Sequence, residues 1–82
     1  MIEASIIVER IQAALPGARV EVQDLTGTMD HYKAVVISEQ FAGKSLVARH
    51  RAIYQALAEE MKGPVHALTL EVFTPEEWDA QA

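Results

Sequence analysis

Cysteine is absent from the 82-residue chain, which excludes a disulfide framework, a thiolate zinc site and a sulfur nucleophile of its own. Metal chemistry is left to imidazole and carboxylate, or to thiolates that a partner brings. Aromatic residues are scarce at 6%, and thirteen of the apolar residues are alanine, so the expected core is small and the stability margin thin. Basic residues are also few: 7 Lys and Arg stand against 12 Asp and Glu, a formal net charge of −5. Non-specific nucleic-acid binding draws on phosphate neutralisation by Lys and Arg, so such a role needs a local basic patch in an acidic chain. No apolar run approaches the ~18 residues of a membrane span. The start MIEASIIVER lacks the pattern of a secretion signal, and a cytoplasmic location is expected. Domains usually hold ~100–150 residues, so residues 1–82 read as one domain, with no internal repeat or linker.

Hydrophobic spacing then divides the chain. Residues 3 to 15 set Ile7, Ile11, Ala14 and Leu15 on one helical stripe, and Pro16-Gly17 ends it. From Arg19 the period becomes two, with Val20 and Val22 alternating against Arg19, Glu21 and Gln23, as in a half-buried strand. Asp24 to Asp30 is turn-forming, and Tyr32 to Ser38 is a second strand that pairs with the first as a hairpin. Phe41-Ala42-Gly43-Lys44 reads as a turn. A long helix is expected from Ser45 to about Lys62, with Leu46, His50, Ile53, Tyr54, Leu57 and Met61 on one apolar stripe and Gly63-Pro64 stopping it. Val65 to Phe73 is a third strand in which His66, Leu68, Leu70 and Val72 share the core-facing parity. Thr74-Pro75-Glu76-Glu77 has the form of a capping box, and Trp78 anchors the short helix that follows. The order is α-β-β-α-β-α, an α+β domain with helices on one face of a three-stranded sheet.

No catalytic constellation emerges from these spacings. The four glycines are scattered at 17, 27, 43 and 63, so no phosphate loop forms, and no serine sits in a nucleophile elbow. The pairs Glu59-Glu60 and Glu76-Glu77 read as solvated surface or helix-end charge, because helix neighbours point in different directions. The histidines carry more information. His50 reads either as a core-edge histidine with one nitrogen bonded to backbone or as part of the basic cluster Lys44, Arg49, His50 and Arg51. His31 and His66 fall at one rim of the sheet, where two imidazoles can hold iron, zinc or copper if a partner completes the site. The basic cluster is a candidate contact for phosphates or an acidic protein surface, or else an ordinary solvated helix end.

Four motifs stand together in order: Phe41-Ala42-Gly43-Lys44-Ser45-Leu46-Val47-Ala48-Arg49-His50-Arg51, then Leu57-Ala58-Glu59-Glu60, then His66-Ala67-Leu68, then Thr74-Pro75-Glu76-Glu77-Trp78. In the forms F-x-G-K-x-L-x-x-R-H-R, L-x-E-E, H-A-L and T-P-x-E-W, this series resembles the BolA family over about half of the chain. The resemblance implies a fold similar to class II KH domains and a non-enzymatic partner of monothiol glutaredoxins. It implies a [2Fe-2S] cluster bridging the two proteins, with a cysteine thiolate and a glutathione thiolate from the glutaredoxin side. The histidine of H-A-L, here His66, is the implied ligand on this side. A second ligand comes in the family from the loop between the first two strands, as Cys or His. Leu25 to Asp30 contains neither, the thiol position falls near Thr28, and His31 beside Tyr32 is the imidazole the resemblance carries over. Imidazole in place of thiolate on one iron raises a cluster's reduction potential. The competing expectation is a nucleic-acid-binding regulator that uses the KH-like fold and the Arg49-His50-Arg51 helix. Monomer and weak homodimer both agree with the sequence.

Overall fold

A computed structural model of the chain describes residues 3–28, 31–63 and 67–81. The elements are α1 (Ala4–Ala14), β1 (Arg19–Asp24), β2 (His31–Ile37), a 3-10 turn (Glu39–Phe41), α2 (Leu46–Ala56), α3 (Ala58–Lys62), β3 (Ala67–Phe73) and α4 (Pro75–Gln81). In α1, Ile7 and Ile11 bury completely, and Leu15 follows one turn later. Ala14, expected on the same stripe, lies at its edge and is exposed. Gly17 then takes φ +85°, a left-handed conformation that turns the chain after the helix at little steric cost.

β1 and β2 pair antiparallel from Arg19↔Ile37 to Asp24↔Tyr32. The Asp24 carboxylate turns the chain beyond β1 by accepting the backbone N–H groups of Thr26 and Gly27 at 3.2 and 2.9 Å. β3 lies parallel to β2, from His31↔Ala67 to Ile37↔Phe73, so that β2 is central. A parallel neighbour needs a crossover connection, and α2 with α3 supplies it. On one face of the sheet Tyr32, Ala34, Val36 and Val72 bury against Ile7, Ile11, Ile53 and Leu57. The other parity is polar along much of its length and includes the Lys33–Glu71 ion pair at 2.7 Å. Among the described residues, no helix is long and apolar enough to cross a membrane.

Four local expectations change. β2 begins at His31 and ends at Ile37, because Ser38 leaves the strand to cap the 3-10 turn, its Oγ accepting the N–H of Gln40 at 3.1 Å. Phe41, expected in a turn, is fully buried in the core. The long helix divides at Leu57, which has φ −107° and ψ 21°. No proline or glycine marks that division; it coincides with the seat of the completely buried Leu57 side chain. The expected apolar stripe also splits, since Ile53 and Leu57 face inward while Leu46 and Tyr54 remain 62% and 41% exposed. Val65 and His66, placed in the third strand by the sequence, lie outside the described residues.

Core position should dominate the mutational response. Ile11→Ala removes a fully buried side chain and is expected to cost about 2–5 kcal/mol. Ala14→Ser, at the exposed stripe edge, should change stability by less than ~0.5 kcal/mol. Urea unfolding of both variants checks the difference.

Candidate functional site

The basic helix is built from its cap inward. Ser45 precedes α2, and its Oγ accepts the N–H of Ala48 at 3.2 Å. One turn later Arg49 falls on the line of Ile53 and Leu57, which carries its long side chain under the domain with 7% of it exposed. Each nitrogen of the guanidinium has a partner there. Nη1 and Nη2 donate to Glu77 Oε1 and Oε2 at 2.6 and 3.2 Å, a bidentate pair. Nε donates to the Lys44 carbonyl at 3.0 Å, and Nη1 also approaches the Val72 carbonyl at 3.5 Å. The cation lies 5.7 Å from the centroid of the Phe41 ring.

Glu77 serves two roles at once. Its Oε1 accepts the N–H of Thr74 at 2.9 Å, while its own N–H donates to Thr74 Oγ1 at 3.2 Å. This is the capping box expected from Thr74-Pro75-Glu76-Glu77. Hydrogen bonding from Arg49, and then from the Thr74 backbone, holds the Glu77 carboxyl down at about 2. The bond to Glu77 likewise raises Arg49 above its ordinary value, against the burial that opposes it. Trp78, one residue on, sets its ring 5.3 Å from that of Phe73 and secures α4 to the end of β3.

These contacts correct the surface reading of the basic cluster. Arg49 is an internal residue, and its donors are spent on Glu77 and carbonyl groups, so it is not available as a surface contact. Lys44 and Arg51 are exposed. His50 is half-buried, with Nδ1 2.7 Å from the Leu46 carbonyl oxygen. Both carboxylate pairs are also divided by packing. Glu60 turns inward toward Arg10 at 3.4 Å with 11% of its side chain exposed, while Glu59 stays in solvent. Glu77 takes Arg49, and Glu76 is exposed.

The rim with His31 lies at the far end of the sheet from this pair. His31 is the first residue of β2, half-buried, and its carbonyl accepts the N–H of Leu25 at 2.9 Å, which closes the base of the β1–β2 loop. Within that loop Thr26 and Thr28 join their hydroxyls at 2.5 Å. The neighbour of His31 across the ladder is Ala67, the residue that follows His66 in the chain. His66 itself lies outside the described residues. Among the described residues no group of three His, Asp or Glu side chains gathers to hold a metal. A full set of protein ligands is therefore not formed by them alone.

A family model described as BolA-like protein matches residues 3–77. The chain belongs to the BolA-like family. It is 49% identical over 55 residues to the DNA-binding transcriptional regulator BolA of Haemophilus influenzae, an alignment covering 67% of this chain and 53% of that protein. It is 39% identical over 80 residues to the protein of the same name from Escherichia coli, covering 89% and 76%. The chain thus spans about half the length of the first relative and three quarters of the second. Among solved structures, a bol-like protein from Babesia bovis superposes with a TM-score of 0.86 at 36% identity, covering 99% of this chain and 94% of that one. The BolA-like fold accounts for the mixed sheet and the helices described above.

Arg49 and Glu77 are the pair that sequence spacing passed over. The signal was present: Arg49, Ile53 and Leu57 recur every four residues, which puts Arg49 on the buried line rather than beside Arg51. Acid stability should report the pair. An unfolded carboxyl titrates near its ordinary 4.5 and the folded one at about 2, so the unfolded chain binds the proton first and stability falls as pH drops between these values. Glu77→Gln can keep the capping box but loses the charge. It is expected to lower the urea midpoint at pH 7 and to flatten the decline between pH 4.5 and 2. Chemical unfolding at pH 7, 4 and 3 checks both.

Proposed function

We propose that this BolA-like chain is a non-enzymatic adaptor that binds a monothiol glutaredoxin and shares a bridging [2Fe-2S] cluster with it, in iron–sulfur cluster trafficking or iron and redox regulation. The observation that carries the reading is the register His31↔Ala67. It sets His31 across the ladder from Ala67, the residue that follows His66 in the sequence, and this supports reading the two histidines as a pair. The donor chemistry fits, because imidazole suits iron and the chain has no thiol to compete with it. The glutaredoxin and glutathione would supply the thiolates, and the cluster is cargo rather than a resident group.

The ligand type bears on what such an adaptor can do. Two neutral imidazoles in place of two thiolates leave a bridging cluster less negative and raise its reduction potential. Protons also compete with the metal for an imidazole nitrogen, so a histidine-held cluster would be released on acidification. Both properties suit transfer or sensing. A second reading, a DNA-binding regulator, is favoured by the names of the Haemophilus and Escherichia relatives. In this chain it must use Lys44, His50 and Arg51, since Arg49 is held inside, and it works against the net charge of −5.

Reconstitution separates the two. Mixing the chain with a monothiol glutaredoxin, iron, sulfide and glutathione should give a heterodimer whose visible absorption and circular dichroism differ from those of the glutaredoxin homodimer. His66→Ala should abolish the heterodimer spectrum, and His31→Ala should weaken or shift it. An unchanged spectrum in His66→Ala removes the ligand assignment. Tight duplex-DNA binding in fluorescence anisotropy, with a salt slope that shrinks in Arg51→Ala, supports the regulator instead.

A further inference from the structure

The outward side of α2 presents an apolar surface that the core does not use. Leu46, Val47 and Tyr54 are 62%, 66% and 41% exposed, and they are three of the four large hydrophobic residues left exposed among the described residues. They line one depression of about 600 Å³ together with His50, Arg51 and Ala58, from the first turn of α2 to the first residue of α3. At ~1.5 Å per residue this runs ~18 Å along the helix. Clustered exposed apolar residues mark interaction surfaces, whereas scattered ones do not.

Charge specifies the occupant. The chain has 7 Lys and Arg residues, and five of them pair with a carboxylate: Arg10, Arg19, Lys33, Arg49 and Lys62. The remaining two, Lys44 and Arg51, have no ion pair among the described residues; Arg51 lines this depression, and Lys44 lines the neighbouring one that shares Leu46 with it. No carboxylate lines the depression. In a chain of net charge −5, an apolar patch whose one charged lining residue is the unpaired Arg51 is complementary to apolar side chains flanked by Asp and Glu. We propose that this surface docks an amphipathic helix of a partner protein whose apolar stripe is bordered by carboxylates.

A second copy of the chain fits less well. Arg51 lies near the midpoint of the stretch from Leu46 to Ala58, so an antiparallel two-fold arrangement brings Arg51 against Arg51. Nucleic acid fits less well too, because phosphate-tracking surfaces are strongly positive and polar, and here Leu46, Val47 and Tyr54 line the depression with Arg51 as its one charged residue. The proposal goes beyond the cluster-sharing reading and does not depend on it. Leu46, the first residue of α2, lines a depression with Val72 and Phe73 at the C-terminal end of β3, which pairs with the end of β2, and His31 starts β2. Six residue steps along the strand separate the two ends, about 20 Å. An adaptor built this way can engage one protein at the His31 rim and another at Leu46 and Val47.

The test uses the full chain without iron, sulfide or glutathione, so its failure leaves the cluster reading standing. Two fluorescein-labelled amphipathic helical peptides with the same leucine stripe, one flanked by Glu and one by Lys, are titrated with the protein and followed by anisotropy. The Glu peptide should bind about tenfold more tightly than the Lys peptide, and Arg51→Glu should cancel that preference. Val47→Asp should abolish binding of both peptides while leaving circular dichroism and the unfolding midpoint unchanged, since the residue is exposed. Equal binding of the two peptides, no binding of either, or full binding by Val47→Asp overturns the proposal. A concentration-dependent doubling of mass in light scattering that Val47→Asp removes would reassign the surface to a second copy. Duplex-DNA binding that Arg51→Glu removes, with no peptide preference, would reassign it to nucleic acid.

Discussion

The Arg49–Glu77 pair joins α2 to α4 through a buried guanidinium. A guanidinium is costly to bury unless its donors are satisfied and its charge balanced, and each part of the solution comes from a different place. Glu77 on α4 supplies the charge, the Lys44 carbonyl the acceptor before α2, the Val72 carbonyl the acceptor on β3, and Phe41 the ring face. Ordering this one side chain therefore ties the 3-10 turn, α2, β3 and α4 together. A small core leaves little margin for losing it.

The pair also explains why the chain concentrates so many of its motif residues between 41 and 51 and between 74 and 78. Phe41 provides the ring, Lys44 the carbonyl, Ser45 the helix cap and Arg49 the cation, while Thr74 and Glu77 form the box that holds the counter-charge in place. Seen this way, F-x-G-K-x-L-x-x-R-H-R and T-P-x-E-W are two halves of one structural clamp. What the clamp leaves outside is the other side of α2, where His50 bonds back to the Leu46 carbonyl and Leu46, Val47, Arg51 and Tyr54 face solvent. The His31 rim stands at the other end of the sheet, held by the ladder rather than by the clamp.

Much of the architecture was legible in the residues. Alternation at Val20 and Val22, the β-branched run from Val35 to Ile37 and the Pro16-Gly17 stop placed the hairpin and the first helix. Thr74-Pro75-Glu76-Glu77 announced its cap from local chemistry alone. Less legible were the features that need two distant segments. Phe41 looked like part of a turn because glycine follows it closely, and only the fold shows that it fills the core. The division at Leu57 has no local breaker, and the exposure of Leu46 and Tyr54 follows from which side of α2 meets the sheet.

Composition and spacing by themselves determined the α+β order, the absence of any thiol and the presence of histidines at 31, 50 and 66, because periodicity and residue chemistry are local properties. They could not assign the neighbours of a charge. Arg49 and Arg51 are the same residue type two positions apart, yet one is the internal cation of a clamp and the other an exposed charge beside an apolar patch. Helical geometry turns them by 200° relative to each other, and only the packing of α2 on the sheet decides which one points inward. The same holds for Glu76 and Glu77, whose separate fates depend on a guanidinium 28 positions away in the chain.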